Sequence, residues 1–119
     1  MILAVVSDLI FSVQIGDMAK KLGIPVVFAS TPESAMARLL AHPKVVVLDL
    51  NLGSGTPVAV LEAIRDNPEL AGVTTVGFVP HVRVDLKNLA FEAGCGVVLA
   101  RSVFAEKLPG LLAKALENR

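Results

Sequence analysis

Five short apolar runs limit most strongly what this chain can become: "ILAVV" (2–6), "PVVFA" (25–29), "VVVL" (45–48), "TVGFV" (75–79) and "GVVLA" (96–100). They are continuous rather than alternating, which is the pattern of strands covered on both faces in a parallel sheet. The longer segments between them carry helical spacing instead. Phe11, Ile15, Ala19 and Leu22 form one stripe, and Ala35, Leu39 and Leu40 a second. Val60, Leu61 and Ile64 form a third, Leu86, Leu89, Ala90 and Ala93 a fourth, and Phe104, Leu108, Leu111, Leu112 and Ala115 a fifth.

Turn and cap residues agree with these boundaries. Gly23 follows the first helical stripe, Pro25 opens the next strand, and Gly94 closes the fourth stripe. Thr31-Pro32 and Thr56-Pro57 each read as an N-cap followed by proline in the first helical turn. Pro109 either moves the start of the last helix toward Leu108 or bends it there. Strand and helix therefore alternate as (βα)₅. Right-handed crossovers make this an open, doubly wound, flavodoxin-like α/β sheet of five parallel strands in the order 2-1-3-4-5.

A chain of 119 residues suffices for one domain with a real core, so residues 1–119 are expected to form a single domain with no separate effector region. Its 54% hydrophobic content excludes a disordered or fibrous class. Eleven basic against eleven acidic residues, scattered along the chain, leave no field to draw nucleic acid or an anionic membrane. No apolar stretch approaches the roughly 20 residues that span a bilayer. The single Cys95 has no disulfide or zinc partner and suits a reducing cytoplasm as a small buried residue.

In such a sheet, ligands bind beyond the carboxyl ends of the strands, where strand order reverses between the first and third. The first strand ends in Ser7-Asp8 and the third in Asp49, so two carboxylates distant in sequence are expected at one mouth. An oxygen-rich pair of this kind suits Mg²⁺. Each has a plainer reading beside it: Asp8 as the N-cap of the first helix, and Asp49 as the start of an Asx-turn into "NLGSG". The stretch "GSGTP" (53–57) would cradle a phosphate only weakly, because it lacks a GK[ST] ending and Pro57 removes one amide donor. His81, near the same mouth, reads as a loop histidine, and His42, beside Pro43, as structural.

With these residues placed, the whole chain resembles the receiver domains of bacterial response regulators. The segments that carry the likeness are "AVVSD", "VVVLDLNL", the spacing from Asp49 to "AIR" (63–65), and "EAGCGVVLARS". The resemblance implies that Asp49 is the phosphoacceptor, and that Asp8, Asp49 and the backbone carbonyl of Asn51 form the Mg²⁺ site. It also implies partners among histidine kinases, transcription factors or other receivers, and homodimers through the face of the fourth helix, fifth strand and fifth helix. No enzymatic activity is implied.

The departures fall at functional positions. Ser7 replaces the first acid of the family's pair, which predicts only weak Mg²⁺ binding. Val79 stands where the family keeps Thr or Ser, so a hydroxyl that would contact the phosphoryl group is missing. Arg101 replaces the lysine that pairs with the phosphoacceptor in the family, and Ser102 the proline after it, so the candidate phosphate contacts implied are Arg101, Val79 and Ser7. Gly53 and Pro57 replace the usual Pro and Gly of the loop after the acceptor. The expected function is that of a degenerate receiver, or pseudo-receiver, acting through protein contacts. A working response regulator phosphorylated at Asp49 with Mg²⁺ is the alternative, and a small anion- or nucleotide-binding flavodoxin-like protein is a second.

Overall fold

The computed structural model describes residues 1–52, 56–79 and 84–117. Its elements run β1 (Ile2–Val5), α1 (Leu9–Leu22), β2 (Val26–Ala29), α2 (Pro32–Leu39), β3 (Val45–Asp49) and α3 (Thr56–Asp66). A single 3₁₀ turn at Pro68–Leu70 follows, then β4 (Thr74–Val79), α4 (Val84–Glu92), β5 (Val97–Ala100) and α5 (Arg101–Glu117). The strands form one parallel sheet in the order β2-β1-β3-β4-β5. Both the flavodoxin-like order and the five strand positions match the sequence reading.

Alternate residues of each strand serve opposite faces, as strand geometry requires. Ile2, Ala4, Val45, Val47, Val76 and Phe78 pack with Phe11, Ile15 and Ala19 of α1 and with Phe104, Leu108 and Leu112 of α5. Leu3, Val5, Val46 and Leu48 pack instead with Ala35 and Leu39 of α2, with Val60, Leu61 and Ile64 of α3, and with Ala90 of α4. Helices α1 and α5 therefore share one face, and α2, α3 and α4 the other. The inner strands β1, β3 and β4 are almost wholly buried, whereas the edge strands β2 and β5 are largely half-covered.

Local chemistry explains the ends of the elements. Asp8 caps α1, and Gly23 ends it in the left-handed conformation at φ 70°, which costs a glycine little. Thr31 and Ser34 form a reciprocal capping box at the start of α2, with Pro32 in the first turn.

Several expectations need correction. Helix α3 begins at Thr56 itself, so Thr56 lies in its first turn rather than before it. Helix α5 starts at Arg101 and runs through Pro109 as one element, not from near Leu108. Proline in a helix interior costs about 3 kcal/mol. Burying Phe104, Leu108 and Leu112, all fully covered, returns about 1.5–3 kcal/mol each and outweighs it. Leu22, Leu40 and Leu89 drop off the buried stripes and are exposed, the first two because they stand at or beyond a helix end. The side chain of Ala115 lies outside the described residues. No helix among them is long and apolar enough to cross a membrane.

Candidate functional site

The carboxyl edge of the sheet brings together Asp8, Asp49 and Arg101. Val5 of β1 and Leu48 of β3 are register partners, and from these adjoining ends the chain continues to Asp8 and Asp49. The charge of Asp8 is felt at Asp49, as is that of Arg101, so all three ionic groups share one mouth.

Asp8 has both carboxylate oxygens engaged. Oδ1 accepts the backbone N–H of Ile10 at 2.8 Å and of Phe11 at 3.2 Å, closing the first turn of α1. Oδ2 accepts from Nη2 of Arg101 at 2.8 Å. The Phe11 amide, and after it the Arg101 bond, hold the Asp8 carboxyl below the ordinary carboxylate range. The guanidinium itself lies over the Phe11 ring, with Cζ 4.0 Å from its centroid. Phe11 in turn packs against Phe78 and Phe104, with ring centroids 4.6 and 5.5 Å away.

Asp49 ends β3 and is half-buried. Its Oδ1 accepts the N–H of Asn51 at 2.9 Å, an Asx-turn that leads the chain out of the sheet. Burial pushes its carboxyl up, with the Asn51 amide and then the charge of Arg101 pulling the other way. Both plainer readings of the acids, as helix cap and turn former, are thus realised in the geometry. Asn51 and Ser7 are exposed at the same edge.

Val79 ends β4 beside Ala100 of β5 and is only 4% exposed, packed in the cluster that holds Ala90 of α4. His42 lies at the opposite end of β3 in a turn with φ 54°, its Nε2 3.6 Å from Oε2 of Glu69. Cys95 is buried, and that burial pushes its thiol up. His81 and residues 53–55 of "GSGTP" lie outside the described residues.

The arrangement does not fit a Mg²⁺ ion as it stands. The ion needs open carboxylate oxygens and near-octahedral room, yet both Asp8 oxygens already accept hydrogen bonds and a cation lies against one of them. Among the described residues no group of three or more His, Cys, Asp or Glu side chains is gathered for a metal. Sequence reasoning missed the Arg101–Asp8 contact. The available signal was topological, because right-handed crossovers put α1 and α5 on one face and so bring their starts together. It also missed an apolar groove of about 190 Å³ between Leu50, Leu52, Val58 and Leu61 on one side and Leu86 and Leu89 on the other.

No family model matches the chain, and no curated protein matches it. Solved structures do. A response regulator from Chloroflexus aurantiacus superposes with a TM-score of 0.85 at 19% identity, over 98% of this chain and 96% of that one. A chemotaxis response regulator of Vibrio cholerae gives 0.82 at 18% identity, over 96% of each chain. The Mn²⁺-bound form of the response regulator Rcp1 gives 0.79 at 22% identity, over 99% and 95%. At such identities the likeness is one of fold, and the chain has the receiver-domain fold of these response regulators.

Proposed function

We propose that this chain is a receiver-like signalling module of the two-component type that works as a pseudo-receiver, through protein contacts rather than a phosphorylation switch. The observation that carries the reading is Val79. At the end of β4 it is 4% exposed, buried among apolar side chains that include Ala90 of α4. It has no hydroxyl to move toward a modified Asp49. A modification there would make little differential contact with two states of the β4–α4 segment, and without such a difference it shifts no equilibrium.

In this reading the module performs no catalysis and resides in the cytoplasm. Its partner is a histidine kinase, a transcription factor or another receiver, or a second copy through the face of α4, β5 and α5. Exposed apolar side chains support a contact role: Val84, Leu89 and Phe91 on α4, and Leu9, Ile10 and Val13 on α1. Mg²⁺ is at most weakly held, since Ser7 brings no charge and Asp8 is already engaged.

A second reading, a working phosphoacceptor, is favoured by one feature. Asp49 keeps its place at the mouth, half-exposed, with Asn51 next to it. The two readings separate on incubation with Mg²⁺ and acetyl phosphate or beryllofluoride, read by intact mass and by amide chemical shifts. The pseudo-receiver reading expects shifts confined to the neighbourhood of Asp49. An adduct with large shifts through residues 84–112 establishes the working switch instead.

A further inference from the structure

We infer that the guanidinium of Arg101 is the built-in cation of this acidic mouth, standing in the place of a divalent metal and excluding it. The pair stands at the surface, its side chains 40% and 32% exposed, and the guanidinium has a defined seat there. Arg101 is held on two sides, by Asp8 Oδ2 at 2.8 Å and by the Phe11 ring at 4.0 Å. Phe11 is itself buried and packed against two further aromatic rings, so the platform under the guanidinium is fixed.

Its position in the fold needs that partner. Arg101 is the first residue of α5, whose first turn contains no acidic residue, and a cation there opposes the helix dipole. The carboxylate of Asp8 supplies the compensation across the α1–α5 contact. In the other direction, Asp8 gains a third donor beyond the two α1 amides, so that both of its oxygens accept hydrogen bonds.

A free metal ion meets three obstacles here. It must displace a partner that the packed α1–α5 contact already holds against Asp8. It must shed water that Mg²⁺ releases reluctantly, whereas a guanidinium is weakly hydrated to begin with. If Arg101 stays, the metal enters beside a positive charge that already acts on both Asp8 and Asp49. With Ser7 in place of an acid, two carboxylates share one resident cation, and a third acid to hold a second cation is missing. This inference rests on the pseudo-receiver reading, because a phosphoacceptor at Asp49 would need the Mg²⁺ that Arg101 keeps out; metal binding tests the mouth alone, whereas adduct shifts test the switch.

The test is metal binding by the full chain, with Mn²⁺ as the probe, followed by electron paramagnetic resonance of the free ion and by Mg²⁺ calorimetry. The wild type is expected to show no saturable binding up to about 10 mM, and Arg101→Ala to bind at least about tenfold more tightly than that limit. Arg101→Gln, which keeps an aliphatic stem and a polar end without the charge, covers the case in which alanine loosens the Phe11 platform, and it is expected to gain affinity as well. Arg101→Lys restores a charge and is expected to bind as poorly as the wild type. Saturable wild-type binding below about 10 mM, or neutral variants that stay less than about tenfold tighter than that limit, overturns the inference.

Discussion

The side chain of Leu50 lies directly against Gly77, so that a Cβ built on the glycine would stand 2.8 Å from Leu50 Cδ1 and 2.9 Å from its Cγ. Leu50 immediately follows Asp49, and Gly77 is central in β4, where it pairs with Leu48. The turn out of the acidic mouth is therefore seated on a bare stretch of strand. Gly77→Ala is expected to cost about 1–3 kcal/mol from overpacking, because Leu50 is itself buried and has little room to retreat. Denaturant unfolding of a double-mutant cycle checks the cause: the cost should fall sharply in a Leu50→Ala background. Equal costs in both backgrounds would refute it.

Phe104 is fully buried, with ring centroids 4.7 Å from Phe78 and 5.5 Å from Phe11. Phe104→Ala is expected to lose about 3–5 kcal/mol, a large share of the roughly 5–15 kcal/mol that holds a domain of this size together. The same variant removes the support under Phe11 and hence under Arg101. Urea titration gives the stability loss, and a change in the Arg101 Nε–H resonance would report the loosened platform.

Asp49 and Asp8 should respond to pH with opposite signs. Burial raises the Asp49 carboxyl in the folded state, so the fold holds that proton more tightly than the unfolded chain does. The resulting stabilisation is complete below the ordinary carboxyl range and is lost as pH rises through the raised value. Asp49→Asn, which keeps an acceptor for the Asn51 amide, is therefore expected to raise Tm at neutral pH. Asp8 is lowered, so its contribution is present above the ordinary range and is lost as pH falls through the lowered value. Asp8→Asn is expected to lower Tm at neutral pH. Thermal unfolding should show both differences shrinking toward about pH 2.

Restoring a hydroxyl at Val79 should be costly. Val79→Thr puts a polar group into a site that is 4% exposed and lined by apolar side chains. The expected loss is about 1–3 kcal/mol by urea unfolding. A neutral or stabilising result would mean that the hydroxyl finds a partner at the mouth, and would favour the phosphoacceptor reading.

The fold was legible in the sequence wherever burial is two-sided. Val45–Leu48 and Val76–Val79 are buried on both faces of the sheet, and their unbroken apolar runs say so. Gly23 and Thr31 were legible because left-handed backbone and helix caps select few residue types. The start of α5 was not, because Pro109 is a strong local signal and the burial of Phe104, Leu108 and Leu112 that overrides it is tertiary. At the mouth, the meeting of Asp8 and Asp49 followed from topology. The bond from Arg101 to Asp8 did not, since nothing local to either residue, 93 positions apart, specifies it.

The sheet order carries a further consequence for how the chain assembles. Ile2 pairs with Val26 across the β1–β2 seam, Val45 with Thr74 across β3–β4, and Val76 with Val97 across β4–β5. The β1–β3 seam joins Ile2 to Val45 and spans the longest stretch of chain of the four. Closure entropy grows with the length of chain enclosed, so this seam is the least favourable to form early. Two locally connected halves, β1–α1–β2 and β3–α3–β4–α4–β5, can each gather their own contacts first and then dock along it. The two carboxylates come face to face only when those halves join, so the acidic mouth is created by the same event that completes the sheet.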